Sequence, residues 1–323
     1  MTVKLWLGVL LGFATLAGLV LTLTVLYAVI KLGIITRKNP IYVISAANML
    51  CDTIQLLLAL LYLAPSIIFD DWIFKGGRSA VMVELLSATF LACWYYGSVA
   101  QILMAINRLV VVCFPTNSIF SMRNVSIFVI MLLPVAIFTS WISQYVMPCC
   151  KFSFDHKFLS YSYTSIEDVF NYSNSYIDLP LNSSSSAICA ICYTYIIFYV
   201  WKMNHLYIKD AAGSRNRMKE YRYALQFCAI SLFYLGAWVT FRVFPVLIGD
   251  RGVEYFIVVS MCVTVNSSAN AFVYITSNQE VRTVLLSKRL STVHHVSSTS
   301  RAGGGTTQKT TTTAHRSVHL TKG

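Results

Sequence analysis

Seven apolar runs, each long enough to cross a lipid bilayer, organise this chain. They span Leu5–Ile30, Ile41–Phe69, about Ala80–Cys113, Val125–Val146, about Leu179–Trp201, Tyr221–Ile248 and Val253–Thr276. A helix needs about 20 apolar residues to cross the hydrocarbon core. Polar breaks separate every pair of runs: Lys31–Pro40, Asp70–Arg78, Pro115–Asn124, Cys149–Asp178, Lys202–Arg222 and Gly249–Arg251. The predicted fold class is therefore an all-α membrane protein, a seven-transmembrane helix bundle. Composition agrees, because charged residues make up only 12% of the chain, against about 25% in soluble domains. The first run exceeds the roughly 7–15 apolar residues of a signal peptide and reads as a retained anchor.

Charge placement orients the bundle. The chain carries 25 Lys+Arg against 13 Asp+Glu, a net charge of +12. With the N-terminus outside and the C-terminus inside, 18 of the 25 basic residues face the cytoplasm, whereas nine acids lie outside and three inside. The positive-inside rule selects this orientation over its inverse. A lipid bilayer thus accounts for the basic balance, and no nucleic-acid partner is needed. Residues 1–286 read as the seven-transmembrane domain. Residues 287–323 read as a disordered Ser/Thr-rich cytoplasmic tail, with Gly303-Gly304-Gly305 and Thr310–Thr313 inside it, too polar to bury a core. It is either phosphorylatable or a plain solvated terminus. Seven of the nine cysteines lie in apolar runs, and only Cys149 and Cys150 sit in a polar loop, so no disulfide framework is expected.

Ionisable groups at membrane depth are costly, which makes each a functional candidate. Asp52 follows Asn48 by one turn on the second helix, and Asn266 and Asn270 share a face of the seventh. They predict an intramembrane polar network that holds an ion or proton, or else interhelical hydrogen bonds alone. Toward the outside, Glu84, Trp94, Tyr95, Trp238 and Arg242 are candidate ligand-binding residues around an aromatic pocket. The competing reading gives the rings to an interfacial belt and has Arg242 snorkel. Arg108, after Asn107, falls near the cytoplasmic end of the third helix, where an arginine also snorkels ordinarily. Asn171-Tyr172-Ser173 is a glycosylation sequon on the outer side, and Asn182-Ser183-Ser184 lies close to the membrane. All six histidines lie in loops or the tail, and the seventh helix has no lysine. No metal set, retinal linkage, phosphate loop or nucleophile elbow is visible. The chain therefore reads as no enzyme, with no cofactor.

Two segments carry a resemblance. The third helix ends Ala105-Ile106-Asn107-Arg108-Leu109-Val110-Val111-Val112-Cys113-Phe114-Pro115. The seventh closes Asn270-Ala271-Phe272-Val273-Tyr274, then Asn278-Gln279-Glu280-Val281-Arg282. These resemble the rhodopsin-like G-protein-coupled receptors, with Asp52 at the place of the helix-two acid. The Asn-Arg pair, Phe114-Pro115 with Ile119–Asn124, and the Cys150-Lys151-Phe152 loop are closer to the nematode serpentine chemoreceptors of class X. The resemblance implies a chemosensory receptor of the plasma membrane, in a sensory cilium by analogy. A small molecule would bind among the outer halves of helices three, five, six and seven. Asn107, Arg108, Asn270 and Tyr274 would serve activation of a heterotrimeric G protein. Ala271 replaces the usual proline, Asn107 the usual acid, and the outer end of helix three lacks the usual cysteine. The alternatives are a peptide or amine receptor, or a seven-helix transporter or channel. An amine receptor is disfavoured, because Trp94, Tyr95 and Tyr96 stand where a helix-three carboxylate is wanted.

Overall fold

The computed structural model describes residues 2–114, 119–163, 169–206, 211–248 and 252–286. The tail from residue 287 lies outside these. Among the described residues seven helices are long and apolar enough to cross a membrane. They are α1 (Val3–Ile35), α2 (Ile41–Phe69), α3 (Val81–Cys113), α4 (Met122–Val146), α5 (Ser173–Met203), α6 (Tyr221–Ile248) and α7 (Val253–Ser277). A further short helix covers residues 279–286.

α3 runs through the middle of the bundle and packs on α2, α4, α5 and α6, while α7 packs on α1, α2 and α6. The largest enclosed side chains mark the core: Tyr42, Met49 and Leu56 on α2, Tyr95 and Arg108 on α3, Phe227 on α6 and Tyr274 on α7. α4 lies at the periphery and leaves Ile127, Phe128, Ile130 and Met131 exposed, as a lipid-facing helix should. Gly18 lets α1 approach α7, since a Cβ there would collide with Ser268 Oγ. Small residues at such crossings let backbones pack closely.

α1 runs on to Ile35 and the sixth helix starts at Ala211, both inside expected polar breaks, and two larger differences lie where α4 connects to α5. α5 begins at Ser173 rather than near Leu179, and its first turn, Ser173–Asp178, is a wide π turn. Pro180 follows, and it has no N–H to donate to the preceding turn. The wider turn re-aims the residues it contains. It carries Asp178, which polarity alone assigned to the outer loop, into the bundle, where it is buried.

The second difference is a β-hairpin between α4 and α5. β1 (Phe152–Asp155) pairs antiparallel with β2 (Ser160–Tyr163), with Phe154 opposite Tyr161. The bundle holds it on several sides. Gln144 donates from Nε2 to the Phe152 carbonyl and accepts from the Phe152 N–H at Oε1, both at 2.9 Å. Ser260 Oγ of α7 donates to the Leu159 carbonyl at 2.8 Å. The Phe154 N–H donates to Ser87 Oγ of α3 at 3.4 Å. Arg78 Nη1 lies 3.7 Å from Asp155 Oδ2. Beside the hairpin, the adjacent Cys149 and Cys150 of the polar loop are joined in a vicinal disulfide.

The hairpin turn contains His156, 4% exposed, with Nδ1 unpartnered among the described residues and its ring 4.9 Å from that of Trp72. Burial lowers its pKa below the ordinary value, against the opposing pull of Asp155 and Asp70. The folded turn therefore prefers the neutral ring. Its contribution to stability is complete above about pH 6.5, the ordinary value, and is lost as the pH falls below it. Hydrogen exchange of the hairpin amides, corrected for intrinsic rates, should be faster at pH 5.5 than at pH 7.5, and His156→Gln should flatten the difference. Equal protection at both pH values would show that the ring does not govern the turn.

Candidate functional site

Three groups of residues stand out, one at the hairpin end of the bundle, one at mid-depth and one at the opposite end. At the hairpin end, strand and helix rings form a box. Phe90 of α3 stacks on Tyr161 at 4.4 Å and faces Phe152 at 5.5 Å. Phe241 of α6 meets Tyr163 at 6.2 Å. The rings of Trp94 and Tyr234 stack at 5.2 Å. Aromatic pairs at these separations stabilise by about 0.5–1.5 kcal/mol beyond area burial. Between them remains a cavity of about 20 Å³, lined by Phe90, Trp94, Phe152, Tyr161, Phe241 and Asp178 among others. That volume holds about one water, so the hairpin rings occupy the mouth of the bundle.

The polar wall of this box is an ion pair between α5 and α6. Arg242 Nη2 lies 3.4 Å from Asp178 Oδ2 and donates to the Asn174 carbonyl at 2.9 Å. Asn182 Nδ2 donates to Asp178 Oδ1 at 2.9 Å. Oδ2 faces the Arg242 guanidinium, with Trp238 alongside. Beneath the pair, Ser98 Oγ donates to Asn182 Oδ1 at 2.8 Å, and Tyr234 OH bonds both Ser98 and Asn182. This knot ties α3, α5 and α6 together directly under the box.

At mid-depth Asn270 Nδ2 donates to Asp52 Oδ2 at 2.7 Å, and Ser267 Oγ donates to Gln55 Oε1 at 3.0 Å. The two helices are thus joined by two polar pairs, one of expected residues and one, Gln55 with Ser267, outside the expected set. Asn48 is buried nearby, with Oδ1 unpartnered among the described residues. Asn266 is only half-buried and makes no hydrogen bond to Asp52. Among the described residues no three His, Cys, Asp or Glu side chains gather as a metal site.

At the opposite end Arg108 is wholly buried, which corrects the snorkelling alternative. Its guanidinium lies 5.5 Å from the Tyr223 ring and 5.2 Å from the Phe227 ring, both on α6. Phe227 meets Tyr274 edge-on at 6.0 Å, and Tyr274 OH bonds Ser45 at 2.5 Å. Asn107 is buried beside it with Oδ1 unpartnered among the described residues. Tyr42 OH donates to Glu280 Oε2 at 2.7 Å, and Lys38 Nζ lies 3.2 Å from Glu280 Oε1. Arg108 therefore packs under α6 against two ring faces.

Of the expected ligand-binding residues, Trp94 lines the box, Arg242 forms its ion pair, and Tyr95 and Trp238 border Asp178. Glu84 stands apart. It pairs with Lys151 Nζ at 2.8 Å and lines a separate cleft at the hairpin end, of about 310 Å³, with Arg78, Cys149 and Cys150. Sequence reading missed Asp178, Phe152, Tyr161 and Asn182 as site residues. Asn171 Oδ1 accepts from the Asn174 N–H at 2.9 Å and caps the first turn of α5, a bond that does not use the Nδ2 a glycan would take. Asn182, by contrast, is wholly buried and could accept no glycan.

The sequence model of the family described as serpentine type 7TM GPCR chemoreceptor Srx matches residues 13–278. No match is found among the curated proteins. Among solved structures, the crystal structure of squid rhodopsin superposes with a TM-score of 0.73 at 16% identity, covering 90% of this chain and 86% of that one. At that identity the likeness concerns the fold.

Proposed function

Because this chain belongs to the Srx family of serpentine 7TM GPCR chemoreceptors, and so is a multi-pass membrane receptor and not an enzyme, we propose that it binds an extracellular small molecule in the aromatic box and activates a heterotrimeric G protein at the Arg108 end. The observation that carries this reading is the Asp178–Arg242 pair set in a ring-lined cavity that the chain's own hairpin fills. The ligand must displace ring faces and engage the pair, so it combines an apolar body with a carbonyl or carboxylate for Arg242. The Asp178 carboxylate, which faces Arg242 through Oδ2, can accept from a donor on the same molecule. A simple amine fits less well, since Arg242 already neutralises the only carboxylate in the box.

Orientation belongs to the same proposal. The hairpin end and Asn171, as a glycan acceptor, face outside, and Arg108, Asn107, Asn270 and Tyr274 act inside at the plasma membrane, in a sensory cilium by family analogy. Residues 287–323 form a separate cytoplasmic tail. The Ser98–Asn182–Tyr234 knot lies between the box and the Arg108 end, where movement of one would reach the other. A ligand can shift the bundle only by preferring one packing, and a tenfold preference supplies about 1.4 kcal/mol. Asp52, Asn48 and Asn270 form the polar hinge between α2 and α7, with Asn266 outside the bonded pair.

The test is a screen of volatile and polar carbonyl compounds on cells expressing the full chain, read by G-protein nucleotide exchange, with an epitope at the Thr-rich end checked on intact cells. The expected result is exchange driven by a carbonyl ligand and an epitope hidden until the cells are permeabilised. Saturable flux without exchange would replace the receptor with a transporter or channel, and an exposed epitope would invert the topology.

A further inference from the structure

A second cavity, of about 220 Å³, opens between α5 and α6. It starts at Ser185 and Leu235, beside the Ser98–Asn182–Tyr234 knot, and runs toward the Arg108 end as far as Ile197 and Cys228. It is separated from the aromatic box by Tyr234, whose ring stacks on Trp94 of that box and forms the wall between the two. Its rim residues Ala190, Thr194, Ile197 and Leu232 are exposed on the outer face of α5 and α6. That face is the belt that meets hydrocarbon in a membrane-spanning bundle, so the cavity opens sideways into lipid.

The lining dictates what fits. No charged side chain lines it, which disfavours an ion. Two buried hydroxyls lie on its wall, Ser186 Oγ without a partner among the described residues and Tyr193 OH, 4% exposed, beside Ser231. A space of this size would hold about seven waters at ~30 Å³ each, and each would need two to four polar partners. The wall is too apolar to supply them. An unpartnered buried hydroxyl is costly, and an occupant with one hydroxyl or carbonyl would relieve that cost.

We propose that this cleft is a binding site for a neutral long-chain alcohol or carbonyl compound that enters from the bilayer, with its polar end on Ser186 and Tyr193 and its chain against α5 and α6. The site does not depend on the identity of the ligand in the aromatic box.

The probe is 1-dodecanol carrying a diazirine on its chain, photolysed with the full chain in phosphatidylcholine nanodiscs, with the matching diazirine alkane as control. Insertion read by mass spectrometry should favour the α5 and α6 peptides by at least fivefold over the lipid-facing α4, for the alcohol and not for the alkane. Ser186→Ala with Tyr193→Phe should bring the alcohol down to the α4 level. Ala190→Trp, at the exposed rim, should do the same by filling the entrance, and it keeps the test open should the double variant fail to fold. Equal insertion into α4, or alkane insertion as strong as that of the alcohol, would overturn the site and leave only unspecific filling by lipid chains.

Discussion

Arg242→Ala should destabilise the folded bundle by about 3 kcal/mol, while Arg242→Ala combined with Asp178→Asn should recover most of that loss. Removing one partner of a buried pair leaves a charge without compensation and costs about 3–5 kcal/mol. The lower end applies because the Arg242 side chain is 21% exposed, against 4% for Asp178. In the double variant the amide at 178 carries no charge, so nothing is left uncompensated. Thermal unfolding of the detergent-purified chain measures both. The ligand response separates stability from binding: it should be lost in the single and the double variant alike, because both remove the guanidinium from the box. A double variant that still responds would move the ligand away from Arg242, and a single variant as stable as the parent would show that the pair contributes nothing to the fold.

The apolar pattern made the spans legible because the hydrocarbon requirement is coarse and long. α2 carries the predicted ends, α3, α4 and α7 differ by three residues or fewer, α1 runs on to Ile35, and the helix of α6 ends as predicted but begins at Ala211, inside the expected polar break. The miss at α5 has a local cause. Ser173–Asp178 is polar, so hydropathy reads it as loop, yet it is the π turn that aims Asp178 inward. Hydropathy averages cannot see a carboxylate whose partner, Arg242, lies 64 residues further on. The hairpin left a readable trace. Phe152-Ser153-Phe154-Asp155 and Ser160-Tyr161-Ser162-Tyr163 both alternate rings with small polar residues, the period-two signature of a strand. Four residues per strand is short enough for that signature to pass as loop. In the polar network, helical spacing placed Asn266 and Asn270 on one face, but only Asn270 meets Asp52. The neighbouring Ser267 makes the second contact to α2, because the face that packs is narrower than the face that spacing defines.

The rings around Arg108 make opposite predictions for two neighbouring substitutions, and that opposition separates an activating role from a packing role. Arg108 stacks between Tyr223 and Phe227 with no exposed surface. A desolvated cation over a ring is stabilised by about 2 kcal/mol, so these contacts hold α6 against α3 in a closed packing. Phe227→Ala removes one ring from the guanidinium and one contact from Tyr274. It should loosen α6 and raise ligand-free nucleotide exchange severalfold. Arg108→Ala loosens α6 too, but it also removes the cation that opening of α6 would present to the G protein. Exchange should therefore fall at least tenfold, equivalent to about 1.4 kcal/mol, while ligand binding at the distant box persists. Arg108→Lys should fall between them, since a lysine keeps the charge but loses the planar stacking surface. If Arg108 served packing alone, Arg108→Ala and Phe227→Ala would shift exchange in the same direction, and the assignment of Arg108 to coupling would fail.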